Sequence, residues 1–295
     1  MSAIGGQMIA RIEVRSECVL GEGPTSDLER QRLLWLDVAG HKLHELASDG
    51  THTSTELDRQ VSALVPDADG ELVGVAGLDI TRFDHFGNAG SVIATLPPDG
   101  DGFANDARCD PYGLLWVGTV DRSGANAGGL YCVDMDGKVQ KVRDGVALSN
   151  GMDWSQDGSR CYYVDSLAHC IQTLYLGPDG LPVRTETLVE IEQMPDGLTV
   201  DVEGGVWVAL WDGGAVHRYT PDGRLDQVVN VPGGFVTSCA FGGPDLTRLF
   251  ITTARVGLPE ERLRAEPDAG GLFAIDVGVA GRGYPPFGRR NPDGA

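Results

Sequence analysis

Pro195-Asp196-Gly197 is followed, through Asp201 and the pair Gly204-Gly205, by the apolar run Val206-Trp207-Val208-Ala209-Leu210. A polar turn leads into a short strand that carries one aromatic residue. The same unit recurs as Leu33-Leu34-Trp35-Leu36-Asp37, Glu71-Leu72-Val73-Gly74-Val75, Leu114-Leu115-Trp116-Val117-Gly118, Cys161-Tyr162-Tyr163-Val164-Asp165 and Arg248-Leu249-Phe250-Ile251-Thr252. Aligned on positions 35, 73, 116, 163, 207 and 250, the spacings are 38, 43, 47, 44 and 43 residues. Each is followed by a second apolar strand near a glycine, as in Gly129–Asp134, Ala215–Tyr219 and Gly271–Ile275. A third turn and strand follow, as at Pro221-Asp222-Gly223. A period of ~40–45 residues with about four strands is that of a propeller blade.

Six units predict an all-β chain, a six-bladed β-propeller forming a single domain over 1–295. No segment carries a 3.6-residue period, so very little helix is expected. The alternating run Ile9–Val14 is expected to join the last blade and close the ring, which removes an exposed edge. The tail from Gly281 to Ala295 is expected to be loose or to pack on the surface.

Composition excludes several functions. The formal net charge of −20 opposes contact with nucleic acid or anionic lipid, and it fits a solvated acidic surface. No stretch approaches the ~18 apolar residues of a membrane span, and the N-terminus lacks a signal pattern, so a cytoplasmic location is expected. None of the six cysteines forms a Cys-x-x-Cys pair, so reduced, packed thiols are expected.

The repeat also organises the polar residues. Glu22, Asn105, Asn150 and Asp196 precede the aromatics Trp35, Trp116, Tyr163 and Trp207 by 13, 11, 13 and 11 residues. Equivalent positions of a closed array converge on its axis. Two carboxylates and two amides around one point suit a hard divalent cation. Taken singly, Asn150-Gly151 and Asp196-Gly197 read as turns with positive φ. Turn chemistry gives no reason to select Glu22. The equivalent places in the other two units hold Ser62 and Thr237-Ser238, small residues that leave room for a ligand.

Leu20-Gly21-Glu22-Gly23-Pro24, Asn105-Asp106 before Asp110-Pro111, Ser149-Asn150-Gly151 before Trp154-Ser155, Pro195-Asp196-Gly197, and Thr237-Ser238-Cys239 before Phe241-Gly242-Gly243 carry a further signal. In order and spacing, over roughly 17–277, the chain resembles the SMP-30/gluconolactonase/regucalcin family of six-bladed propellers. The resemblance implies a sugar-lactone hydrolase with one divalent metal ion. It implies Glu22, Asn150 and Asp196 as metal ligands, Asn105 as a substrate contact and Asp196 as general base. Calcium or zinc is the leading expectation for the ion, with magnesium, manganese and ferrous iron conceivable. The expected partner is a small-molecule lactone.

The chain departs from the family at Phe103, where many members have an arginine that contacts substrate. Either Phe103 re-specifies the pocket for a less polar lactone, or it packs and another arginine, such as Arg122, enters. There is no Gly-x-Ser-x-Gly elbow and no His-Glu-x-x-His. His41 and His44 lie three apart in a strand pattern and so face opposite ways. Two other readings are a non-catalytic calcium-binding or ligand-sensing propeller, and a phosphotriesterase-type hydrolase on the same fold.

Overall fold

The computed structural model describes residues 8–98, 102–123, 125 and 127–289. Six sheets form a ring, a six-bladed β-propeller. The innermost strands are Gly21–Asp27, Ala63–Pro66, Phe103–Cys109, Ser149–Trp154, Pro195–Val200 and Phe235–Gly242, in blades one to six. Each packs beside the inner strands of its two neighbours, so the ring closes between blades six and one. One short helix, Glu260–Ala265, and one 3-10 turn, Ser166–Ala168, interrupt the strands. Neither is long and apolar enough to cross a membrane.

The core is six apolar clusters, one between each pair of adjacent blades. Both faces of a middle strand are therefore buried. This is why Leu33-Leu34-Trp35-Leu36 and Val206–Leu210 run continuously apolar. The outermost strands, such as His52–Glu56, are exposed along their length and polar.

In blades three and five the turn and the aromatic of the repeat form one hydrogen-bonded unit. Asp110 Oδ1 accepts the amides of Tyr112 and Leu114, and its Oδ2 accepts the Trp116 indole N–H at 3.1 Å. Asp201 does the same for Glu203, Gly205 and the Trp207 indole, at 2.8 Å. A buried indole needs an acceptor, and in these two blades the turn aspartate supplies it, whereas the Trp35 indole of blade one has no partner among the described residues. Blade two has Val73 instead, and there the second oxygen of Asp67 accepts from Arg82 at 2.8 Å.

The N-terminal run divides at Ala10. Arg11–Val14 pairs antiparallel with Leu272–Asp276 and completes blade six, as expected. Met8 and Ile9 instead pair in parallel with Val229 and Asn230 at the edge of blade five. Ala10 is buried between the two blades and donates its N–H to the Asn230 carbonyl. The segment thus covers two sheet edges rather than one.

Of the two expectations for the tail, packing rather than looseness holds for Gly281–Arg289, while residues 290–295 lie outside the described residues. This strap crosses the ring at the far ends of the inner strands. Gly281 donates to the Leu246 carbonyl, the Tyr284 hydroxyl meets Thr199 Oγ1 at 2.7 Å, and Gly288 donates to the Gly113 carbonyl. Asp153, fully buried, requires donors, and Arg108, Arg282, Tyr284 and the Val200 amide supply them. Phe287, 2% exposed, enters the cluster between blades two and three. A Phe287→Ala variant should lose about 3–5 kcal/mol of stability, read from urea unfolding. A free tail would give no change.

Candidate metal and substrate site

An irregularity recurs at the start of the inner strands. In blade one Glu22 pairs with Leu36 and Thr25 with Leu34, so the inner strand holds one residue more than its partner. Asn105 is the extra residue between the pairs Ala104–Thr119 and Asp106–Gly118. Asn150-Gly151 and Asp196-Gly197 sit in the same kind of bulge, and Thr237 occupies it in blade six. Among these strands the described pairing of blade two runs without a shift. A bulge re-aims its side chain out of the regular alternation.

Gly151 and Gly197 explain the Asn-Gly and Asp-Gly pairs, and they correct the turn reading of each. Both lie inside strands, and neither has positive φ. A Cβ on Gly151 would stand 2.3 Å from the Leu198 nitrogen and 2.8 Å from the Asp196 carbonyl oxygen. One on Gly197 would stand 2.0 Å from Ser238 Oγ. Glycine is required here by the approach of one inner strand to the next.

Asn105 Nδ2 donates to the Ser149 carbonyl at 2.9 Å and to Asn150 Oδ1 at 3.0 Å, and Asn150 Nδ2 donates to Ser166 Oγ at 2.7 Å. The two amides therefore touch although 45 residues separate them. Ser166, which orients Asn150, carried no sequence signal because it lies in a turn outside the repeat. Thr237 does not stand free. Its hydroxyl meets Thr252 and the Gly21 carbonyl, which braces the strand beside Glu22.

Glu22 and Asp196 sense each other. Burial, then repulsion from Asp106, pushes Glu22 up to about 8. Burial first, then Glu22 and Asp106, raises Asp196 well above the usual carboxylate range. Asp106 is also raised by burial, against the opposing pull of Arg108. The structure thus brings all four predicted residues to one mouth and adds Asp106. Neither Glu22 nor Asp196 has an ion-pair partner among the described residues. Their carboxylates accept from the adjacent backbone amides of Gly23 and Gly197. Buried carboxylates without a cation are costly, and their oxygens suit a hard dication, with amide oxygens completing a mixed set. Among the described residues no cluster of three or more His, Cys, Asp or Glu stands ready to hold a metal.

Phe103 lies half-buried at the start of its inner strand, two residues before Asn105, with the Arg122 guanidinium 4.4 Å above its ring. His44 is remote from the mouth. It stacks on Trp35 and His52 within blade one, with Nε2 3.5 Å from Cys18 Sγ. The six cysteines are buried and unbridged.

Without a metal ion, folded Glu22 holds its proton to about pH 8, whereas the unfolded chain releases it near 4.5. The folded state binds more protons across that window, so this contribution to stability is lost as pH rises through it. In chelator, the wild type should lose more urea resistance between pH 5 and 8 than Glu22→Gln. Equal losses would overturn the assignment of the burden to Glu22. Gly151→Ala should be destabilised by about 1–3 kcal/mol, as expected of overpacking. A wild-type unfolding midpoint in that variant would refute the close-approach argument.

The family profile described as "SMP-30/Gluconolactonase/LRE-like region" matches residues 20–255. The Bacillus subtilis protein YvrE, whose name gives sugar lactone lactonase as a provisional assignment, is 34% identical over 289 residues, covering 95% of this chain and 99% of its own. Regucalcin of Bos taurus is 33% identical over 287 residues, 93% of this chain and 96% of its own. The crystal structure of regucalcin from Agrobacterium tumefaciens, described as a calcium-binding protein, superposes with a TM-score of 0.87 at 32% identity, covering 96% of this chain and 99% of that one. The matched residues include every inner strand and all four converging side chains, and the relatives are a third identical over nearly their whole length. On both grounds the chain belongs to the SMP-30/gluconolactonase/LRE-like family.

Proposed function

We propose that the protein hydrolyses a lactone, a sugar (aldono) lactone before others, using one divalent metal ion held by Glu22, Asn150 and Asp196. The observation that carries the reading is the pair of carboxylates, buried Asp196 and half-buried Glu22, that repel each other with no cationic partner on either among the described residues. The name of the Bacillus relative supports the reaction class, and the regucalcin names support calcium.

When bound, the ion supplies Lewis-acid polarisation of an oxygen and stabilises negative charge developing there. The chain's own groups do the rest. Asn105, held by Ser149 and Asn150, keeps its carbonyl oxygen without a described donor, free for a substrate hydroxyl. Asp196 accepts the proton of the attacking water and returns it to the ring oxygen as the carbonyl carbon–oxygen bond opens. A carboxylate that also ligates a cation is a modest base, adequate for an activated ester and poor for an amide. The far end of the ring is crossed by the strap, so substrate approaches from the mouth where Glu22 and Asp196 sit.

A non-catalytic calcium-binding role is the second reading, favoured by the description of the Agrobacterium relative. Proton release from aldono-1,4- and 1,5-lactones and aliphatic lactones, after chelation and metal add-back, separates the two. Turnover should vanish in chelator and return with one ion. Asp196→Asn should lower kcat by about 100-fold or more while the fold persists by circular dichroism. A tight metal site with no turnover on any lactone would select the binding role.

A further inference from the structure

Arg122 stands exposed at the mouth, over the ring of Phe103. It follows the second strand of blade three, whose Val120 pairs with Phe103, and it begins the loop that leads to Gly128–Val133. Asp121 shapes that loop. Its oxygens accept the amides of Ser123 and Ala127, both at 2.9 Å, and the Ser123 hydroxyl at 2.7 Å. The nearest carboxylate in sequence is therefore committed to backbone. Arg122 makes no ion pair and no hydrogen bond among the described residues, and its guanidinium lies over the Phe103 ring at 4.4 Å.

An aromatic face under a guanidinium holds the plane in place and leaves its N–H edges open. Those edges match the two oxygens of a carboxylate or phosphate. Charge balance points the same way. With a dication bound, the ion would face Glu22 and Asp196 and Arg108 faces Asp106, while Arg122, whose neighbour Asp121 is held by backbone amides, forms an ion pair with none of them among the described residues. On a chain of net charge −20, a lone arginine beside the mouth is the local attraction available to an anion. Phe103 lies two residues from Asn105, roughly 7 Å along the strand, about the length of a six-carbon lactone.

We propose that the Arg122–Phe103 pair receives an anionic group at the end of the substrate away from the lactone carbonyl, so that the preferred substrate is a lactone bearing a carboxylate or phosphate. This deepens the lactonase reading and rests on it for the word substrate. The docking site itself does not need turnover. Phe103 then serves as the platform for a cation, rather than as an apolar replacement that excludes one.

The test is calorimetry on the metal-loaded protein with three open-chain acids of six carbons: the aldonate, the aldarate with a second carboxylate, and the aldonate 6-phosphate. The wild type should bind one of the two acids that carry a second anionic group about 10-fold or more tighter than the aldonate. Arg122→Ala should erase that preference, and Arg122→Lys should restore part of it, since it keeps charge but not the fork. The acid with the larger loss names the group. Equal binding of all three by the wild type overturns the proposal, as does an equal loss for all three in Arg122→Ala. Kinetics on the matching lactones should show the same selectivity in kcat/KM. If the wild type binds with the expected preference yet opens no lactone with any metal, the docking site stands and the lactonase reading falls.

Discussion

At Gly151 and Gly197 the inner strands of neighbouring blades come so close that a methyl group has no room. This narrowness governs the rest. Six sheets wedged around an axis bury both faces of their middle strands, and the tighter the inner ring, the better those faces seal. A narrow ring also leaves no space for regular side chains at its mouth. The bulges answer that by re-aiming Asn105, Asn150 and Asp196, while Glu22 is the last paired residue before the bulge of blade one.

The cost of the arrangement is electrostatic. Asp196 is buried, Glu22 and Asp106 are half-buried, each raises the cost of charging another, and Arg108 opposes the charge of Asp106. Arg108 also faces the opposite way, toward Asp153 and the Tyr284 ring. The strap that covers the far end of the ring and the acidic mouth are thus joined through a single guanidinium. Packing at one end and charge at the other are parts of one network.

Much of this was legible in the chain. The ~43-residue period and the aromatic strands required a ring of blades. The four oxygen-bearing residues at one repeat position required convergence. The turn aspartates were recognised, but not their bond to the indole of the following strand, because that contact depends on how the hairpin folds back. Ser166 and Arg122 were harder, since neither occupies a repeat position. Arg122 was legible only as an example of an arginine that enters the pocket beside a packed Phe103. The glycines after Asn150 and Asp196 were read as turn residues because a local rule suffices for Asn-Gly. Their cause is a strand from another blade.

Sequence by itself determined the periodicity, the strand content and the identity of the residues at the axis, because each is a property of spacing and side-chain type. Tertiary structure alone decided the division of the N-terminal run between two blades, the course of Gly281–Arg289 across the ring and the pairing of Arg122 with Phe103. These join segments far apart in the chain or set in loops of low regularity. Their partners are chosen by which edges, buried carboxylates and ring faces remain unsatisfied once the six blades have closed.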